Sequence, residues 1–100
     1  QSLSPKPPLV VQNQKFTSGD KPLVEAQIIN RSFFAQNNIK VTAILFDNNG
    51  NALAASETVI SHLLPDMSEN IFFTWSKALS DSPSKMEIMS RVSVFEKTKN

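Results

Sequence analysis

The chain has no cysteine, only two glycines and a single histidine among one hundred residues. Without cysteine there is no disulfide framework and no thiolate metal site, and the redox compartment stays open. With Gly19 and Gly50 alone, a glycine-rich phosphate loop cannot be assembled. His62 has no second histidine or cysteine to share a zinc ion, and no Gly-x-Ser-x-Gly elbow presents a nucleophile. It reads as an exposed or hydrogen-bonded residue in the connection after the fourth strand. An excess of one charge is also missing. The formal net charge is +1, and the lysines and arginines are scattered from Lys6 to Lys99, which argues against a nucleic-acid partner. No apolar run approaches the roughly 20 residues that span a bilayer. The chain begins at Gln1 without an initiator methionine, so it is read as part of a longer precursor whose export signal or anchor has been removed.

What is present is alternation. Ile39, Val41, Ala43 and Leu45 recur at every second position with Lys40 and Thr42 between them, the period of a strand with one buried face. Asn48-Asn49-Gly50-Asn51 follows, and Asn-Gly at a reversal supplies the positive φ angles of a tight hairpin. The same reading yields six strands, at about Leu9 to Phe16, Pro22 to Ser32, Asn38 to Asp47, Asn51 to Ile60, Glu69 to Ser76 and Lys85 to Glu96. Leu9 and Val11, with Asn13, share one side of the first. Val24, Ala26 and Ile28 point inward from the second, Ile71, Phe73 and Trp75 from the fifth, and Ile88, Val92 and Val94 from the last. The fourth, rich in Ala, Ser and Thr, carries little bulk and is the candidate edge strand. Spacings of about 8 to 15 residues without a helical period argue for an all-β fold, an immunoglobulin-like antiparallel β-sandwich of about 6 or 7 strands. Pro5, Pro7 and Pro8 make residues 1–8 a tether. Residues 9–96 form the sandwich domain, and 97–100 are a basic tail.

Ala43-Ile44-Leu45-Phe46-Asp47 and the hairpin after it resemble the strand and turn that give FxLYD-type domains their name. Glu25 to Ser32 resembles the family's strand ending in Asn and a small residue. Leu64-Pro65-Asp66-Met67-Ser68-Glu69 is similar to its Leu-Pro-Gly-Glu connection, and Phe72-Phe73-Thr74-Trp75 to the aromatic strand that follows. Together these cover most of the chain, from Leu9 to Phe95. Ala43 stands where the family has Phe, which suggests a differently filled core layer, and Phe46 where it has Tyr, which removes a hydroxyl. Asp66 stands where Gly is usual, which suggests a turn that does not require positive φ. The resemblance implies an extracytoplasmic, often membrane-tethered, immunoglobulin-like accessory domain of bacterial origin. A shared sandwich is nearly silent on activity.

Several constellations have a functional and a plainer reading. Asp47 to Asn51 looks like a calcium loop, but counting from Asp47 the glycine falls fourth and Thr58 twelfth, where an EF-hand needs Gly sixth and Glu twelfth. A turn is the better reading. Asn30-Arg31-Ser32 fits the glycosylation sequon, although Asn is also common at strand ends. Phe33, Phe34, Phe72, Phe73 and Trp75 form either core plus a loop plug or an exposed aromatic surface. Phe72 and Phe73 must face opposite sides of a strand. Among Glu57, Glu69, Glu87 and Glu96 no pair has a spacing suited to acid–base catalysis.

The reading that follows is a non-catalytic module without cofactor or metal that binds another protein at the cell envelope. Its location is extracytoplasmic, and it meets a membrane only through a tether outside this segment. The interaction surface is expected among Phe33, Phe34, Ser56, Glu57, Thr58 and Trp75. The alternatives are a carbohydrate-binding module that stacks sugars on Trp75 or on Phe33 and Phe34, and a self-assembling homo-oligomer.

Overall fold

A computed structural model of the chain describes residues 9–92. The expected tether (1–8), the basic tail (97–100) and the end of the sixth strand, including Val94, lie outside the described residues. Six strands run β1 Leu9–Thr17, β2 Leu23–Asn30, β3 Gln36–Phe46, β4 Ala52–Leu63, β5 Ser68–Thr74 and β6 Lys85–Val92. All pairings are antiparallel and form two three-stranded sheets, ordered β1-β2-β5 and β4-β3-β6. The all-β sandwich expected from alternation is what the chain adopts.

The core is the set of inward positions of both sheets. Ile39, Val41, Ala43 and Leu45 of β3 are fully buried. They share one cluster with Val24, Ala26 and Ile28 of β2, Ile60 and Leu63 of β4, and Ile71 and Phe73 of β5. Truncating a large member such as Phe73 to Ala costs about 3–5 kcal/mol. Phe72 and Phe73 divide as strand geometry requires: Phe73 is buried and Phe72 exposed.

Three local expectations are corrected. Asn13 does not share the inner side of β1. It sits at a bulge between Gln12 and Lys15 with φ +57° and is exposed. The extra residue reverses the alternation, so Phe16, at an even position, packs on the core alongside Leu9 and Val11. At the β3–β4 reversal only Gly50 takes a positive φ, +85°. The Gly50 amide donates to the Asp47 carbonyl (3.2 Å) and the Asp47 amide to that of Asn51 (2.8 Å), a turn closed by a left-handed glycine rather than a two-residue Asn-Gly turn. Between β4 and β5, Asp66 adopts φ +63°, contrary to the expectation drawn from its replacing Gly. The Met67 amide donates to the Leu64 carbonyl (3.1 Å), with Pro65 and Asp66 between them. This is a turn with Pro first and a left-handed residue second, and a short side chain tolerates that place.

The Asp47 side chain stiffens its turn by accepting the amides of Asn49 (2.8 Å) and Asn51 (2.9 Å). These bonds, the Asn51 amide foremost, hold its carboxyl below the ordinary carboxylate range. Because the folded value is depressed, the turn bonds are intact above the ordinary carboxylate pKa and are lost as pH falls through the lowered one. In an NMR pH titration, the Asn49 and Asn51 amide shifts should move together with a midpoint below the ordinary carboxylate range. Asp66→Gly should raise the unfolding free energy by about 0.5–1 kcal/mol, measured by urea denaturation.

Candidate functional site

Asn30 ends β2 and is completely buried. Its Nδ2 donates to the carbonyls of Phe34 and Leu63, each at 2.9 Å. Its Oδ1 accepts the Ser32 amide (2.9 Å) and hydroxyl (2.7 Å). Both donors and both lone pairs of the carboxamide are therefore used. The backbone adds two bonds: the Asn30 amide donates to the Met67 carbonyl (3.0 Å), and the Asp66 amide to the Asn30 carbonyl (2.6 Å). The sequon is thus a structural joint, because the nitrogen that would carry a glycan is buried and bonded. Among the described residues no buried side-chain polar atom lacks a partner.

This joint holds the β2–β3 loop and the β4–β5 turn to one residue, and so to one end of the sandwich. That end displays Phe33 (92 % exposed), Phe34 (75 %), Leu64 (50 %) and Met67 (54 %). Neither phenylalanine serves as a loop plug. Both leave the protein surface while the backbone between them and Asn30 is fixed, with Gln36 Nε2 and the Phe34 amide donating to the Ser32 hydroxyl. Leu64 and Met67 extend the aromatic pair, and the sequence reading did not include them. The signal for them was the buried Asn at a strand end, which must find carbonyl partners and finds one in Leu63. The described part of the chain also enters and leaves at this end, since Leu9 pairs with Asn30 and Val92 with Ile39.

The other expected surface residues lie elsewhere. β4 is an edge strand, as its composition suggested, but it faces the β5 edge across the sandwich. The Thr58 hydroxyl donates to the Phe72 carbonyl (2.7 Å) and the Trp75 indole Nε1 to the Ala55 carbonyl (3.1 Å). Ser56 and Thr58 are half-buried, and Glu57 is exposed. Trp75 packs partly buried on the core with its N–H engaged, so it is a strut between two sheet edges. His62 lies within β4 rather than in a connection, because the strand runs three residues further than expected. It is exposed, and its Nδ1 meets the Asn37 side-chain oxygen.

At the opposite end, a cleft of about 390 Å³ opens between the β1–β2 turn and the β5–β6 connection, lined by Phe16, Gly19, Pro22, Leu79, Asp81 and Pro83. Asp81, its one titratable group, accepts the amide of Ser82 (2.8 Å). Among the described residues no three His, Cys, Asp or Glu side chains gather where a metal could be held.

Asn30→Ala should lower the unfolding free energy by about 2–4 kcal/mol, since it strands two carbonyls and frees both loops. Asn30→Asp should cost more, because a carboxylate would face those carbonyls. Urea unfolding monitored by Trp75 fluorescence checks both. Comparison with protein-family models, with curated proteins and with solved structures gives no match to this chain.

Proposed function

We propose that this domain is a non-catalytic interaction module of the bacterial cell envelope, and that it grips another protein with the apolar end organised by Asn30. The observation that carries the reading is the exposure of Phe33, Phe34, Leu64 and Met67 on two loops tied to one buried side chain. Isolated exposed apolar residues are ordinary, but a cluster of them marks an interaction surface. Aromatic anchors held in place lose little conformational entropy on binding, and such residues dominate binding energy at interfaces. The partner chemistry that fits is an apolar depression deep enough for two neighbouring rings, with a polar rim facing Arg31 and Asp66. The extracytoplasmic placement is supported by the likeness of Ala43 to Ala52 and Leu64 to Trp75 to FxLYD-type domains. Trp75 is half-buried against the core, so the sugar-stacking alternative rests mainly on Phe33 and Phe34.

The test pairs capture with mutation. The full chain is used to recover a crosslinked partner from bacterial envelope extract, and calorimetry then compares it with the Phe33→Ser/Phe34→Ser variant. Because these rings contribute nothing to the core, the variant should keep its melting temperature while losing affinity by about a hundredfold. Equal affinity of the variant for the recovered partner overturns the proposal, as does recovery of no partner at all.

A further inference from the structure

The four sheet edges are not alike. β4 and β5 are bridged to each other by Thr58 and Trp75. β1 is distorted by its bulge, and bulges spoil an edge for pairing. β6 is regular along its whole pairing with β3, no described strand pairs with its outer edge, and no side-chain bridge like those of Thr58 and Trp75 reaches it among the described residues. Its inward side chains Met86, Ile88 and Val92 are only partly buried, unlike those of β3.

The direction of its free peptide groups follows from the turn. The Asp47 amide bonds the Asn51 carbonyl, so odd-numbered peptide groups of β3 face β4 and even-numbered ones face β6. In the β3–β6 register Lys40 lies opposite Arg91, Thr42 opposite Met89 and Ile44 opposite Glu87. Odd-numbered groups of β6 therefore face β3. Those of Met86, Ile88, Ser90 and Val92 face outward.

We propose that β6 pairs antiparallel with β6 of a second copy of this chain, about a two-fold axis through Met89, and that the two sandwiches thereby share one six-stranded sheet. Glu87-Ile88-Met89-Ser90-Arg91 is self-complementary in that register. Glu87 of each copy lies opposite the partner's Arg91, on both sides of a Met89 pair. The outward peptide groups of Ile88 and Ser90 match across the seam, and Met86 meets the partner's Val92 on the core side. Charge argues for this occupant. Arg91 stands directly opposite Lys40 on the outer face, a like-charge pair that destabilises a sheet. The one ion pair among the described residues is Lys85 with Glu87 at 3.0 Å, which leaves the Glu87 side chain 43 % exposed and Arg91 without a carboxylate. A second copy brings Glu87 to Arg91 twice and covers Met89, itself 51 % exposed. The pairing is independent of the apolar end.

Sedimentation equilibrium of the full chain at low salt should show a concentration-dependent dimer that weakens as salt rises. Arg91→Glu should raise the dimer dissociation constant by about tenfold or more. The double swap Glu87→Arg/Arg91→Glu should restore it to within about threefold. Ser90→Pro removes an outward amide and blocks the seam while sparing the bonds to β3, so it should give a monomer with an unchanged circular dichroism spectrum. Phe33→Ser/Phe34→Ser should leave the dimer intact. A chain that stays monomeric at every concentration overturns the proposal, and so does a dimer that survives both Arg91→Glu and Ser90→Pro.

Discussion

The apolar end of this domain rests on one buried carboxamide. Asn30 lies where β2 stops, and its side chain has no water to turn to, so the chain must supply two acceptors and two donors around it. It does so from Ser32, Phe34 and Leu63, residues on both sides of the sandwich. An unpaired polar group at that depth is costly, and the cost makes the arrangement specific. The loops cannot drift without breaking bonds that nothing else replaces. Rigidity of the backbone is what allows apolar side chains to be displayed instead of collapsing onto the core.

A second constraint is the unequal treatment of the sandwich flanks. Where β4 and β5 approach, side chains reach across and satisfy backbone carbonyls, so the layers are laced together without a shared ladder. At the flank of β1 and β6 no such bridge joins the layers among the described residues, and Val11, Phe16, Met86, Ile88 and Val92 are only partly buried. The lacing residues explain why a strand poor in bulk can close its flank. Thr58 and Trp75 do with hydrogen bonds what larger aliphatic residues would do by packing.

Legibility in the sequence follows from how local each cause is. β3 and β2 are plain in the alternation of Ile39 to Leu45 and Val24 to Ile28, because burial on one face needs no information from elsewhere in the chain. The bulge at Asn13 is hidden, since an asparagine in a polar run gives no sign that alternation will reverse there to turn Phe16 inward. Asp66 misleads because a missing glycine suggests an ordinary turn, whereas the backbone bonds of its neighbours demand the left-handed conformation. The end of β4 is illegible for a different reason. Ser61 and His62 look like loop residues, but the strand is prolonged to Leu63 by pairing with Asn37 and Gln36 of β3, and the Leu63 carbonyl is taken by Asn30, 33 residues away. Phe33 and Phe34 stand out as a candidate surface, yet Leu64 and Met67 join them only through the distant bonds of Asn30 to Leu63, Asp66 and Met67.

The entry of β1 and the exit of β6 at one end has a mechanical corollary. Tension applied between Leu9 and Val92 acts on two strands that lie in different sheets and are each held by a single neighbour. Their ladders would open one bond at a time from that end, like a zip, rather than resisting in parallel. Stretched between two attachment points, such a domain yields at low force and lengthens early, a compliant link that gives way before stiffer parts of an assembly are strained.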